Sequence, residues 1–260
     1  MAQKSTDRVI VSEIADSGWK TLYKIGAVAA LVAVIVFRRN FSAELMQFRG
    51  FGIIRGVPTT SPSSAIDWFT LLQQNWFVGL CLLDVVDLVN YALVGLIFLA
   101  LYGALRRASK SAMLIATASG LIGITIYFAS NQAFAMLSLS EQYAAATTDA
   151  QRSMLLAAGE ALLAVNNPGA ACQGTGIYAS FFLVILAGLI ISVVMLRGSI
   201  FGKATAIAGI VANGIRFGYF IALVFAPSIY WLPIPISAPF RVTWYVLIAL
   251  KLFRLAKRTQ

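Results

Sequence analysis

Long apolar runs alternate with short polar punctuation along the 260 residues, and six runs stand out. They fall at about Leu22–Phe37, Phe77–Leu105, Ala112–Ser130, Gly174–Leu196, Ala204–Phe225 and Pro239–Leu255. A helix needs about 20 apolar residues to cross hydrocarbon. The first run is the shortest, but Lys20, Lys24, Arg38 and Arg39 at its ends can reach the interface on their long stems. No stretch shows the alternating pattern of a membrane β-strand, so the pattern predicts helices rather than a barrel.

Two polar stretches between the runs carry helix signals of their own. In residues 38–76, the turn-rich "GVPTTSPSS" leads into "AIDWFTLLQQNW". Ser64 and Asp67 have the spacing of a helix start, and Ile66, Phe69 and Leu72 fall on one helical face, with Trp68 and Trp76 nearby. This reads as an amphipathic helix at the outer interface, or as a short buried loop helix. In residues 131–173, Ser138 with Glu141 and Thr148 with Gln151 have capping-box spacing. The second of these helices should gain from Asp149 in its first turn and should end at Val165, before "NNPG". Leu155, Ala158, Leu162 and Val165 line one of its faces. The pattern therefore predicts two short helices forming an outer cap. The expected fold is all-α: a single membrane domain over residues 1–260, a bundle of about six transmembrane helices with short amphipathic helices on the outer side.

Composition agrees. The chain is 60% hydrophobic and 12% charged, where soluble domains carry about a quarter charged residues. Its net charge of +10 would suggest nucleic acid in a soluble protein, but most of the cations flank apolar runs. The expected environment is the lipid bilayer, with no nucleic acid. Placing residues 1–21 in the cytoplasm puts Lys4, Arg8, Lys20, Lys24, Arg106, Arg107, Lys110, Arg197, Lys203, Lys251, Arg254, Lys257 and Arg258 at inner ends. Only Arg38, Arg39, Arg49, Arg55 and Arg152 then lie outside. That asymmetry predicts both termini in the cytoplasm. The N-terminal region is too long and too acidic for a cleavable signal, so the first run is expected to remain as an anchor.

The chain has no histidine, which removes histidine-ligated zinc and haem and Ser-His catalysis. No metal and no cofactor is implied, and the balance leans against an enzyme. Cys81 and Cys172 are too few for a thiolate metal site, though a disulfide between them is one option.

The unusual chemistry is at the start of the second run. Asp84 and Asp87 are three residues apart, with Asn90 three further on, so the three share one helix stripe. A charge at the bilayer centre costs about 2.5–3.5 kcal/mol on insertion scales, and such groups usually face the bundle interior and pair. By residue count from the helix ends, Arg216 in the fifth run and Arg241 early in the sixth should reach a similar depth, with Asn131, Gln132 and Asn213 near the same level. Two readings follow. One is a structural ion pair that fixes which helices touch. The other is an outward-facing polar site built from Asp84, Asp87, Asn90, Asn131, Asn213, Arg216 and Arg241, open to a small ligand, an ion or a lipid head group. Glu141 and Glu160 are secondary candidates over its mouth, or simple caps. "GIRFG", with Gly214 and Gly218, has the spacing of a close helix contact. "PSIYWLPIPISAPF" should be a stiff outer linker anchored by Tyr230 and Trp231.

The stretch "YFASNQAFAMLSLSEQYAAATTDAQRSMLLAAGEALLA", with "LISVVMLRGSIFGKATAIAGIVANG", "DWFTLLQQNW" and "LYGALRR", resembles the bacterial membrane proteins grouped as domain-of-unknown-function family 4386. The likeness covers most of the chain after Asp67, and Glu141 to Glu160 is its most specific part. It implies a multi-helix protein of the bacterial inner membrane. It implies no activity and brings no catalytic residues. The sequence thus leaves a binding or transport module, a non-catalytic component acting through an unknown protein partner, and, third, a membrane enzyme using carboxylates.

Overall fold

The computed structural model describes residues 17–38, 62–168, 170 and 173–258. Most of the turn-rich stretch before Ser64, the cations Arg39, Arg49 and Arg55, and Cys172 with its option of a bridge to Cys81 lie outside them.

All regular structure among the described residues is helical. In chain order the helices are α1 (Lys20–Arg38), α2 (Ala65–Gln74), α3 (Trp76–Leu82), α4 (Val85–Leu105), α5 (Lys110–Ser130), α6 (Ala133–Ala145), α7 (Asp149–Val165), α8 (Thr175–Arg197), α9 (Lys203–Phe225) and α10 (Pro233–Arg258). Among the described residues five stretches are long and apolar enough to cross a membrane: α4, the stretch Lys110–Ala145 that takes in α5 and α6, α8, α9, and Pro233–Lys257 of α10.

By their contacts the described residues form two compact units, residues 17–37, 91–124 and 181–258 in one and residues 38, 62–90, 125–168, 170 and 173–180 in the other. The first unit holds α1 up to Phe37, α9, α10 and the greater part of α4, α5 and α8. Its buried residues include many alanines, such as Ala27, Ala30, Ala100, Ala187 and Ala249. Glycines let backbones approach where a side chain would not fit. A Cβ on Gly26 of α1 would overlap the Cβ of Ala100 on α4, and one on Gly120 of α5 would enter the Phe98 ring. One on Gly209 of α9 would strike Ser192 and the Trp244 indole. Close backbone approach of this kind is how helices associate in lipid, where apolar burial alone gives no preference for protein over solvent. The "GIRFG" expectation fails by the same measure: Gly214 has nothing within 4 Å of an added Cβ, and Gly218 has only Pro233 Cγ at 3.8 Å. The spacing was right, but these two positions do not meet a neighbouring helix closely.

The second unit joins the short helices α2, α3, α6 and α7 to the ends of α4, α5 and α8, and its core has larger side chains, among them Trp68, Phe69, Leu72, Leu83 and Met136. The start of α2 behaves as its spacing predicts. The Ser64 side chain accepts from Asp67 N, and Asp67 reaches back to the Ser64 amide. The α7 start is likewise a capping box of Thr148 and Gln151, and α7 ends at Val165. The box expected at Ser138 and Glu141 is not there, because α6 already runs through it from Ala133. The signal that opens α6 is Asn131, whose Oδ1 accepts from Ala133 N at 3.1 Å.

Two further expectations are corrected. The second run is not one helix: it breaks at Leu83–Asp84 into α3 and α4. The proline-rich stretch is not a linker throughout, because α10 begins at Pro233. Pro233 and Pro235 sit in the first turn, where a missing N–H leaves no helical bond unmade, and only Pro239 lies deeper. Ser237 Oγ donates to Ile234 O at 2.7 Å and Thr243 Oγ1 to Pro239 O at 2.9 Å, so side chains help occupy carbonyls around the prolines.

Candidate functional site

The break between α3 and α4 collects the acidic candidates. The Asn75 side chain caps α3 by accepting from Val78 N at 3.1 Å. The helix closes with Leu83 N donating to Gly79 O at 2.9 Å. The next residue, Asp84, has φ 61°, the one non-glycine residue with positive φ among those described. A left-handed conformation at a residue with a Cβ costs about 1–3 kcal/mol and has to be held by its surroundings. Here Asn131 contributes to that hold. Its Nδ2 donates to Leu83 O at 3.1 Å and to Asp84 O at 3.4 Å. The same side chain accepts the Ala133 amide, so one amide group fastens the α3–α4 break and the α5–α6 break together. Asp87 N then donates to Asp84 O at 3.1 Å, and α4 is under way.

Asp84, Asp87 and Asn90 are each partly buried. Asp84 stands one residue ahead of the apolar span. The Asn90 amide oxygen is buried and has no hydrogen-bond partner. Such an atom is a cost to the fold, about 1–3 kcal/mol, unless something else uses it. Cys81, three residues before the break, is buried.

The basic candidates belong to the first unit. Arg216 on α9 and Arg241 on α10 are both 8% exposed, on two helices that pack against one another. The Arg216 guanidinium lies over the Phe181 ring at 4.5 Å. That ring belongs to an aromatic cluster with Tyr219 and Phe220, which continues to Tyr230. Asn213, one turn before Arg216, turns back on its own helix, and its Nδ2 donates to Gly209 O at 2.9 Å. Gly188 of α8 sits against its amide, so this side chain is used in helix packing.

The secondary candidates separate. The Glu160 carboxylate accepts from Ala65 N at 2.6 Å and so caps α2 from α7, while Glu141 is exposed on α6. The structure thus groups Asp84, Asp87, Asn90 and Asn131 in the second unit and Asn213, Arg216 and Arg241 in the first. One residue missed in the sequence is Gln173. Its side chain accepts Asn167 N at 3.1 Å and donates to Ala170 O at 3.2 Å, tying down the loop before α8. No local spacing signals such a contact. Among the described residues, no three of His, Cys, Asp and Glu come together as metal ligands. No family model, curated protein or solved structure matches the chain.

Proposed function

We propose that this chain is a six-span protein of the bacterial inner membrane, with α1 as the remaining span and both termini in the cytoplasm. In this reading it binds or transports a small ligand, ion or lipid head group through a polar site on the outer side. The site is the stripe of Asp84, Asp87 and Asn90 at the head of α4, with Asn131 holding its backbone. The observation that supports it most is the helix break at Asp84. Discontinuous helices near membrane depth recur where backbone and side chains line a ligand site. A break needed only for chain geometry is met more cheaply by glycine, which takes φ > 0 without strain. An acid in that conformation, followed by a second acid and a buried amide oxygen, offers acceptors and negative charge to a cation or a donor-rich head group. The resemblance to family 4386 is consistent with the membrane and adds nothing on the ligand.

A structural reading has its own support, because Arg216 and Asn213 show polar groups used in packing. Thermal unfolding of the full-length protein in nanodiscs separates the two. Sodium, potassium and ethanolamine chlorides are titrated at constant ionic strength. A ligand present at 100 times its Kd stabilises by about 2.7 kcal/mol. The site reading expects one of these solutes to raise Tm saturably in the wild type and not in Asp84→Asn. Asp84→Gly should raise basal stability while abolishing the response. No response to any solute, with Asp84→Asn less stable throughout, would leave the structural reading standing.

A further inference from the structure

A cavity of about 390 Å³ opens in the first unit, between the α4–α5 turn and the last turns of α8. One wall is apolar, formed by Leu189, Ile190 and Val193. Val193 is 38% exposed, so this wall is open to a neighbouring molecule. The other end is polar and carries Ser109 and Arg197. Ser109 O accepts from Met113 N at 3.1 Å, the first bond of α5, which leaves the amides of Lys110, Ser111 and Ala112 at an open helix start. Anions favour such a position. Arg197 is exposed in the last turn of α8.

Among the described residues of this unit, the charges carry one sign. Arg106, Arg107 and Lys110 flank Ser109 in the chain, and Lys203 follows Arg197. Residues 17–37, 91–124 and 181–258, the described part of this unit, contain no carboxylate at all. The occupant must therefore suit a cation, a hydroxyl and helix-start amides at one end and a hydrocarbon wall beside them. A soluble anion would use only the polar end, and a neutral lipid only the wall.

We infer that this cavity is a binding site for an anionic phospholipid. The phosphodiester sits at Ser109, the start of α5 and Arg197, and the first part of an acyl chain lies along Leu189, Ile190 and Val193. The volume falls within the roughly 300–1,000 Å³ of small-molecule sites, so the rest of the chains stays in the bilayer. The site is distinct from the acidic stripe and stands or falls without it.

The test titrates the full-length protein in neutral detergent with phosphatidylglycerol and with phosphatidylcholine, following retained lipid by native mass spectrometry. Phosphatidylglycerol should bind saturably, one molecule per chain, about tenfold tighter than phosphatidylcholine. Arg197→Gln should remove that preference. Lys203→Gln, an exposed cation that does not line the cavity, should change it less than about twofold. Val193→Trp, which fills the wall, should weaken phosphatidylglycerol binding while the protein keeps its Tm. Equal losses in Arg197→Gln and Lys203→Gln would reduce the effect to diffuse surface charge and overturn the site. So would full affinity in Val193→Trp, or displacement of the lipid by millimolar inorganic phosphate, which would make it a small-anion site.

Discussion

In the first unit, several helices meet closely through glycine and alanine. In the second, they meet through large side chains and through hydrogen bonds from one helix's side chains to another's backbone. Gly26 against Ala100 typifies the first, and Phe69 packed on Tyr143 at 5.5 Å, with Glu160 capping α2, typifies the second. The charges divide the same way. The described residues of the first unit are cationic wherever they are charged. In the second unit they include Asp67, Asp84, Asp87, Glu141, Asp149 and Glu160, against Arg38 and Arg152. A long apolar helix satisfies its own backbone and needs only close contact with its neighbours. A short helix has most of its amides and carbonyls near an end, so its neighbours must supply caps.

The largest effect should come from truncating the second unit's core. Phe69 is fully buried, touches Tyr143, and has Gly159 directly against its ring. Phe69→Ala should cost about 3–5 kcal/mol, because it removes a ring and leaves a cavity between short helices. Chemical unfolding in nanodiscs would measure it. A loss below about 1 kcal/mol would mean that this unit is held by its caps rather than its core.

The first unit should fail in the opposite direction, by addition. Gly26→Ala places a methyl on Ala100, whose own Cβ is fixed by the α4 backbone, so the helices must separate. The expected cost is about 1–3 kcal/mol. Gly214→Ala is the matched control. Nothing lies within 4 Å of its new Cβ, so it should gain about 0.4–1 kcal/mol from reduced freedom of the unfolded chain. If both substitutions behaved alike, close helix approach would not be what holds this unit.

Much of this contrast is legible in the sequence. The long helices begin and end within a residue or two of the apolar runs at α5, α8 and α9, since a run long enough to cross lipid has few other folds open to it. The caps at Ser64 and Thr148 could be read because the bonding is local. What could not be read is non-local. Between Trp76 and Leu105 no proline or loop-forming cluster marks a break, and Asp84 turns left-handed in a setting that includes Asn131, 47 residues away. The false box at Ser138 has the right spacing in a helix already begun. The prolines of α10 mislead because their effect depends on whether they fall in a first turn. The candidate residues were legible as polar groups in apolar runs. Their division between the units was not, since depth along a helix says nothing of which compact unit a residue joins.

The smallest effect would sharpen the contrast at a cap. Asp67 at the start of α2 has its carboxyl held below the ordinary value of 3.8, first by the Ser64 hydroxyl and then by the Ser64 amide, with Ser63 adding a smaller share. A carboxylate whose folded value is depressed stabilises fully above the unfolded value, and that stabilisation is lost as pH falls through the lowered folded value. Wild type should therefore exceed Asp67→Asn in Tm by a constant margin above about pH 5, and the margin should close as pH falls through 3.8 and below. The group is at the surface, so the margin should be small and should shrink further in high salt. The first unit offers no described carboxylate for comparison, so Lys203→Gln there should show no acid-dependent margin over the same range. A margin that stayed constant down to pH 2 would mean that the neutral carboxyl serves the cap as well as the carboxylate does, and that the α2 cap owes its strength to shape rather than charge.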